Sequence, residues 1–167
     1  MTRGVIQLKP IGVVHTRATP EEVRSSLRGV DGVIEVFEEY AEGLVGLEGF
    51  SHVIVIAYLH LSRQAPLLVK PRRLARFGIP LEDLPAIGVF ATDSPDRPNP
   101  LALSIVELKS VRGRFLEVSG LDLFDGTPVL DIKPYTPSRS LRITKLPAWY
   151  TELVQKLRER GIDIGDV

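Results

Sequence analysis

Two stretches concentrate the residue types that can do chemistry. The first is Gly88-Val89-Phe90-Ala91-Thr92-Asp93-Ser94-Pro95-Asp96-Arg97-Pro98-Asn99-Pro100. It reads as a strand running into a loop stiffened by three prolines within six residues. Proline removes backbone freedom before folding, so such a loop holds polar groups in place at little ordering cost. Arg97 sits among those prolines, and Asn99 is the single asparagine of the chain. Both are candidate substrate-binding residues. The second stretch runs from Val118 to Tyr135. Asp125-Gly126 makes a tight turn between apolar runs, and beyond it Asp131, Lys133 and Tyr135 alternate with Leu130, Ile132 and Pro134. The period of two sets carboxylate, ammonium and phenol on one strand face. Asp131 and Tyr135 are the candidate catalytic groups, since either can accept or relay a proton; sequence assigns the role to neither.

Other chemistries are poorly served. No Gly-x-Gly-x-x-Gly follows an expected strand, and no P-loop occurs. With no cysteine, disulfides, thiolate zinc sites and a cysteine nucleophile are excluded. His15, His52 and His60 lack the spacing of metal ligands, so no metal is expected.

The elements that must position these groups follow from composition and pattern. Hydrophobic residues make up 44% of 167 and charged residues 25%, enough apolar material for one folded core. The runs 5–14, 32–37, 51–61, 87–91, 101–108, 115–118 and 129–132 are rich in Val, Ile, Leu and Phe and bounded by Gly and Pro. They predict a mostly β fold, an antiparallel barrel or sandwich, with a hairpin loop over Lys109–Arg114. Thr19-Pro20-Glu21-Glu22 has the cap, proline and glutamate of a helix start. Trp149, Leu153, Val154 and Leu157 recur at helical spacing, and Gly161 can end that helix. We therefore expect a barrel domain over 1–140 and a helical appendage over 141–167. Twenty-one basic residues balance twenty-one acidic ones, so any nucleic-acid binding needs a local basic patch. The one concentrated basic segment is the loop 63–85, with Lys70, Arg72, Arg73, Arg76 and four prolines. Charges near the start and the shortness of the apolar run 53–59 argue against a signal peptide or a membrane span, so a cytoplasmic location is expected. The scarcity of Asn, Met and Cys points to a thermophilic source.

Together with Glu48-Gly49-Phe50-Ser51-His52 and the apolar strand ending at His60, the two motifs resemble the TsaA/TrmO family, whose patterns include FATRSPxRPNP and SGLDLxDGTPVLDIKPY. The resemblance spans roughly residues 10–137. It implies a small β-barrel that dimerises, with S-adenosylmethionine (SAM) bound near the subunit interface; unlike bacterial members, this chain is expected to lack an additional C-terminal domain. The implied activity is methylation of the exocyclic nitrogen of threonylcarbamoyladenosine beside the tRNA anticodon. The implied SAM contacts are His60, Leu61, Leu103, Phe124, Asp125, Gly126 and Thr127. The cations Lys70, Arg72, Arg73 and Arg76 are expected on RNA phosphates, with Arg97 and Asn99 at the substrate pocket. This chain departs from the family in two places. Asp93 stands where the family usually has Arg, and Glu21-Glu22-Val23-Arg24 matches no Pro-Arg-Gln element.

Overall fold

The structure is a computed structural model that describes residues 4–141 and 143–162; of Arg73 it describes the backbone only. The strands are β1 (Gly12–His15), β2 (Val30–Val36), β3 (His52–Tyr58), β4 (Leu68–Val69), β5 (Ile87–Gly88), β6 (Leu101–Arg112), β7 (Phe115–Leu121) and β8 (Pro128–Pro134). The helices are α1 (Pro20–Ser25), α2 (Arg72–Ala75) and α3 (Ala148–Glu159). Six strands close an antiparallel barrel in the order β1-β2-β7-β6-β3-β8, while β4 and β5 form a separate two-stranded sheet.

The chain divides into two compact units, residues 1–61 with 101–135 and residues 62–100 with 136–167. This division groups the loop region 62–100 with the C-terminal helix.

In the barrel unit, alternation decides what is buried. On β6, Ser104, Val106 and Leu108 point inward and are buried, whereas Leu103, Ile105 and Glu107 point out. Val14, Ile34, Val53, Val55, Leu116 and Val129 belong to the same interior. Each such side chain contributes about 1.5–3 kcal/mol by leaving water. In the second unit a smaller core joins Ile79 and Leu84 to Leu153 and Leu157 of α3, with Trp149 and Ile162 packed against it.

The expected helix starts hold. Thr19 caps α1, its side chain accepting from the Glu22 amide while the Glu22 carboxylate accepts from the Thr19 amide. Gly161, at φ 76°, ends α3: its amide donates to Arg158 O and that of Ile162 to Leu157 O. Three expectations need correction. The strand expected from Val5 begins only at Gly12, and Val5, Ile6 and Leu8 are exposed without a strand partner. The strand expected over 87–91 lasts two residues before a 3₁₀ turn, Val89–Ala91, takes over. The hairpin loop shrinks to Gly113 and Arg114, because β6 and β7 stay paired as far as Arg112 and Phe115. Positive φ at Gly113 alone fits the turn that best matches strand twist.

Gly29 and Gly120 allow two backbones to touch where β2 meets β7. A Cβ on Gly29 would lie 2.3 Å from the Gly120 carbonyl carbon, and Gly29 itself has φ 74°. Gly29→Ala is therefore expected to destabilise the barrel by about 2 kcal/mol or more, read as a lowered denaturation midpoint. On the outer surface Glu35 accepts from His15 Nε2 at 2.7 Å and from Arg114, which also lies 3.5 Å from Glu38. The His15 hydrogen bond, then that from Arg114, holds the Glu35 carboxyl below its usual pKa. A lowered folded-state pKa adds stability above the unfolded value, and this is lost as pH falls through the folded one. Melting temperatures of wild type and Glu35→Gln should thus differ near neutrality and converge under acid.

Candidate functional site

The turn Phe124–Thr127 is built by its hydrogen bonds to the first strand. The Gly126 amide donates to Val14 O at 2.9 Å, and the Val14 amide to Thr127 O at 3.0 Å. Asp125 Oδ1 accepts from the Thr16 amide at 3.0 Å. Thr127 is buried, while Asp125 and Gly126 reach solvent. The Arg24 guanidinium, on α1, lies 4.9 Å from the centre of the Phe124 ring. Sequence reasoning missed this cation: Arg24 falls in the segment that matched no family element, and only the packing of α1 brings it to the turn.

Strand register then gathers the expected cofactor contacts. Tyr58 pairs with Leu101, and Ala57 pairs with Val129. The exit from β3 (His60, Leu61), the entry to β6 (Leu103) and the turn leading into β8 therefore lie at one end of three adjacent strands. Leu61 and Leu103 are 55% and 65% exposed, so they line an open surface. His60 is exposed too, its amide closing a turn onto Tyr58 O.

Asp131 belongs to that end. Ile56 is the partner of both Leu103 and Asp131, which places the three in one row on the outer face, with Leu103 and Asp131 two strand spacings apart, about 9–10 Å. Asp131 accepts from the Ile132 amide at 2.9 Å and from Lys133 Nζ at 2.6 Å. It also borders a cleft of about 500 Å³ formed with Ile11, Tyr40, Glu42 and Ile132. None of the expected cofactor contacts lines this cleft. Tyr135 lies at the other end of β8, its ring edge-on to His52 at 6.4 Å. Four residues of strand separate it from Asp131, about 13 Å. A further polar group, missed in the sequence, is Ser104, which is buried and donates to Asp122.

The remaining candidates belong to the second unit. Arg97 Nη2 donates to Val89 O at 3.3 Å and Thr92 O at 3.1 Å, bracing the start of its own loop. Asn99 and Asp93 are exposed, and Asp96 accepts from Ser62 at 3.0 Å. Lys70 Nζ donates to Leu81 O at 2.8 Å, and Arg72 and Arg76 are exposed. The side chain of Arg73 falls outside the described residues.

The fold of this chain is also seen in crystals. The structure of TrmO from Pseudomonas aeruginosa has a TM-score of 0.62 and 29% identity, covering 85% of this chain and 61% of that one. The chain belongs to the tRNA-methyltransferase O N-terminal domain family, whose model matches residues 13–139. A protein of Pyrococcus abyssi called a "probable S-adenosyl-L-methionine-binding protein" is 38% identical over 96% of this chain and 84% of its own. The tRNA (adenine(37)-N6)-methyltransferase of Escherichia coli is 35% identical over 78% of this chain, which spans 58% of that enzyme.

The Arg97 geometry can be checked directly. Loss of charge-assisted hydrogen bonds in Arg97→Ala should cost about 1–3 kcal/mol and speed amide exchange around Thr92. Unchanged stability with impaired ligand binding would instead make Arg97 a contact residue.

Proposed function

We propose that this chain is a SAM-dependent tRNA methyltransferase acting on the exocyclic nitrogen of threonylcarbamoyladenosine beside the anticodon. The observation that carries this reading is the gathering of His60, Leu61, Leu103 and Phe124–Thr127 at one barrel end, with Asp131 in the same row as Leu103. These residues fit the cofactor. Leu61, Leu103 and Phe124 offer apolar surface to its base and methylthio chain. Arg24, held over Phe124, carries the positive charge its carboxylate needs, and exposed Asp125 can meet its ammonium.

When bound, SAM supplies the methyl group. The chain's own residues must align the acceptor and remove a proton from a nitrogen whose lone pair is conjugated. Asp131 is better placed for this than Tyr135, which lies about 13 Å further along the strand. Its carboxylate accepts from Lys133, whose ammonium can stabilise it once the proton has moved on to solvent.

The same reading favours a homodimer in the cytoplasm, where tRNA is found. Tyr58, Leu101, Leu103 and Ile105 form an apolar outer face on β3 and β6, 38–65% exposed. Leu61 and Leu103 lie open on the barrel unit, and a second copy on this face would cover them. Phosphate contacts fall to Lys70, Arg72, Arg73 and Arg76, and substrate contacts to Asn99, on the loop that Arg97 braces.

Incubation with tRNA and methyl-labelled SAM, followed by nucleoside mass spectrometry, is expected to reveal a labelled threonylcarbamoyladenosine. Asp131→Asn should lower turnover by roughly a hundredfold or more with SAM affinity within a few-fold of wild type. SAM binding without any labelled product would leave the alternative that the acidic Asp93 keeps open, a non-catalytic SAM- or nucleotide-binding module on the same barrel.

A further inference from the structure

Phe90 is an anomaly in the second unit. It is 78% exposed, although its neighbour Val89 is completely buried. The turn that carries it is firmly held. Val89 O accepts from the Thr92 amide at 3.2 Å, from Thr92 Oγ1 at 2.9 Å and from Arg97 Nη2 at 3.3 Å, and the Val89 amide donates to Leu67 O at 2.9 Å. An aromatic ring on so braced a support loses little freedom when something packs on it. The adjoining chain adds apolar surface, since Leu67, just before β4, and Leu68 are 65% and 68% exposed and Leu68 pairs with Gly88. Positive charge borders the patch in the chain: Lys70 directly follows β4, Arg72 opens α2, and the Arg97 guanidinium lies against the Phe90 turn.

We propose that Phe90 is a stacking platform for one unpaired base of the RNA substrate, with Leu67 and Leu68 bordering the base and the neighbouring cations taking the flanking phosphates. This rests on the reading of the chain as a tRNA-modifying enzyme and extends it to the loop side of the anticodon. Charge decides the occupant. A flat aromatic face beside cations suits a planar base on an anionic backbone, and stacking tolerates any base because every base has a π face. Paired RNA offers no such base, so the platform selects single-stranded loops.

The test measures binding of an anticodon stem–loop RNA and of a fully paired RNA across a salt series, with wild type, Phe90→Ala, Phe90→Trp, Phe90→Leu and Arg72→Ala. Phe90→Ala and Phe90→Leu are expected to weaken stem–loop binding roughly five- to a hundredfold, with Phe90→Trp close to wild type. The log–log salt slope should stay constant in the Phe90 series and fall by about one unit in Arg72→Ala. In the Phe90 series, binding of the paired RNA and of SAM should not change. Wild-type affinity in Phe90→Ala, or in Phe90→Leu, would overturn the stacking role. So would a change in oligomeric state on light scattering, which would make the patch a contact between copies. If wild type itself binds neither RNA, the tRNA reading falls, and the platform falls with it.

Discussion

The seam between β1 and β8 is the constraint on which the rest of the molecule depends. Its ladder is short, with Gly12 opposite Val129 and Val13 opposite Pro128. The hydrogen bonds that extend it, Val14 to Thr127 and Gly126 to Val14, are the ones that shape the Phe124–Thr127 turn. Closing the barrel and forming the turn are therefore one event. A closed barrel has no free edge, which spares this strand-rich chain the risk of pairing with other chains. It also fixes the register that aligns Leu103, Ile56 and Asp131.

The barrel end that results combines groups far apart in the chain. Segments near residues 24, 60, 103, 125 and 131 meet because β3, β6 and β8 are neighbours and α1 lays its arginine on the turn. Each segment is ordinary by itself. The arrangement leaves apolar side chains open to water on the outer face, a cost that a second subunit or a bound cofactor would remove.

Much of this was legible in the sequence. The spacing of apolar runs predicted a barrel or sandwich and the family resemblance the barrel, the Thr19 box and Gly161 marked helix ends, and the period of two put Asp131 and Lys133 on a common face. What stayed hidden depended on tertiary partners. Val5, Ile6 and Leu8 look like the start of a strand, but no neighbouring strand pairs with them. Arg97 looks like a free ligand among prolines, yet two backbone carbonyls of its own loop engage it. Arg24 carried no signal, because its placement over Phe124 is set by residues a hundred positions away. Periodicity reports which face a side chain occupies, not whether another element will claim it.

The alternation along β6 also divides the mutational landscape of the protein. Ser104, Val106 and Leu108 face a packed interior where most substitutions cost stability, whereas Leu103, Ile105 and Glu107 face outward between them. Selection can thus redraw the outer face, one residue in two, while the folded scaffold stays intact. A lineage carrying this barrel is free to change what it recognises without first becoming more stable.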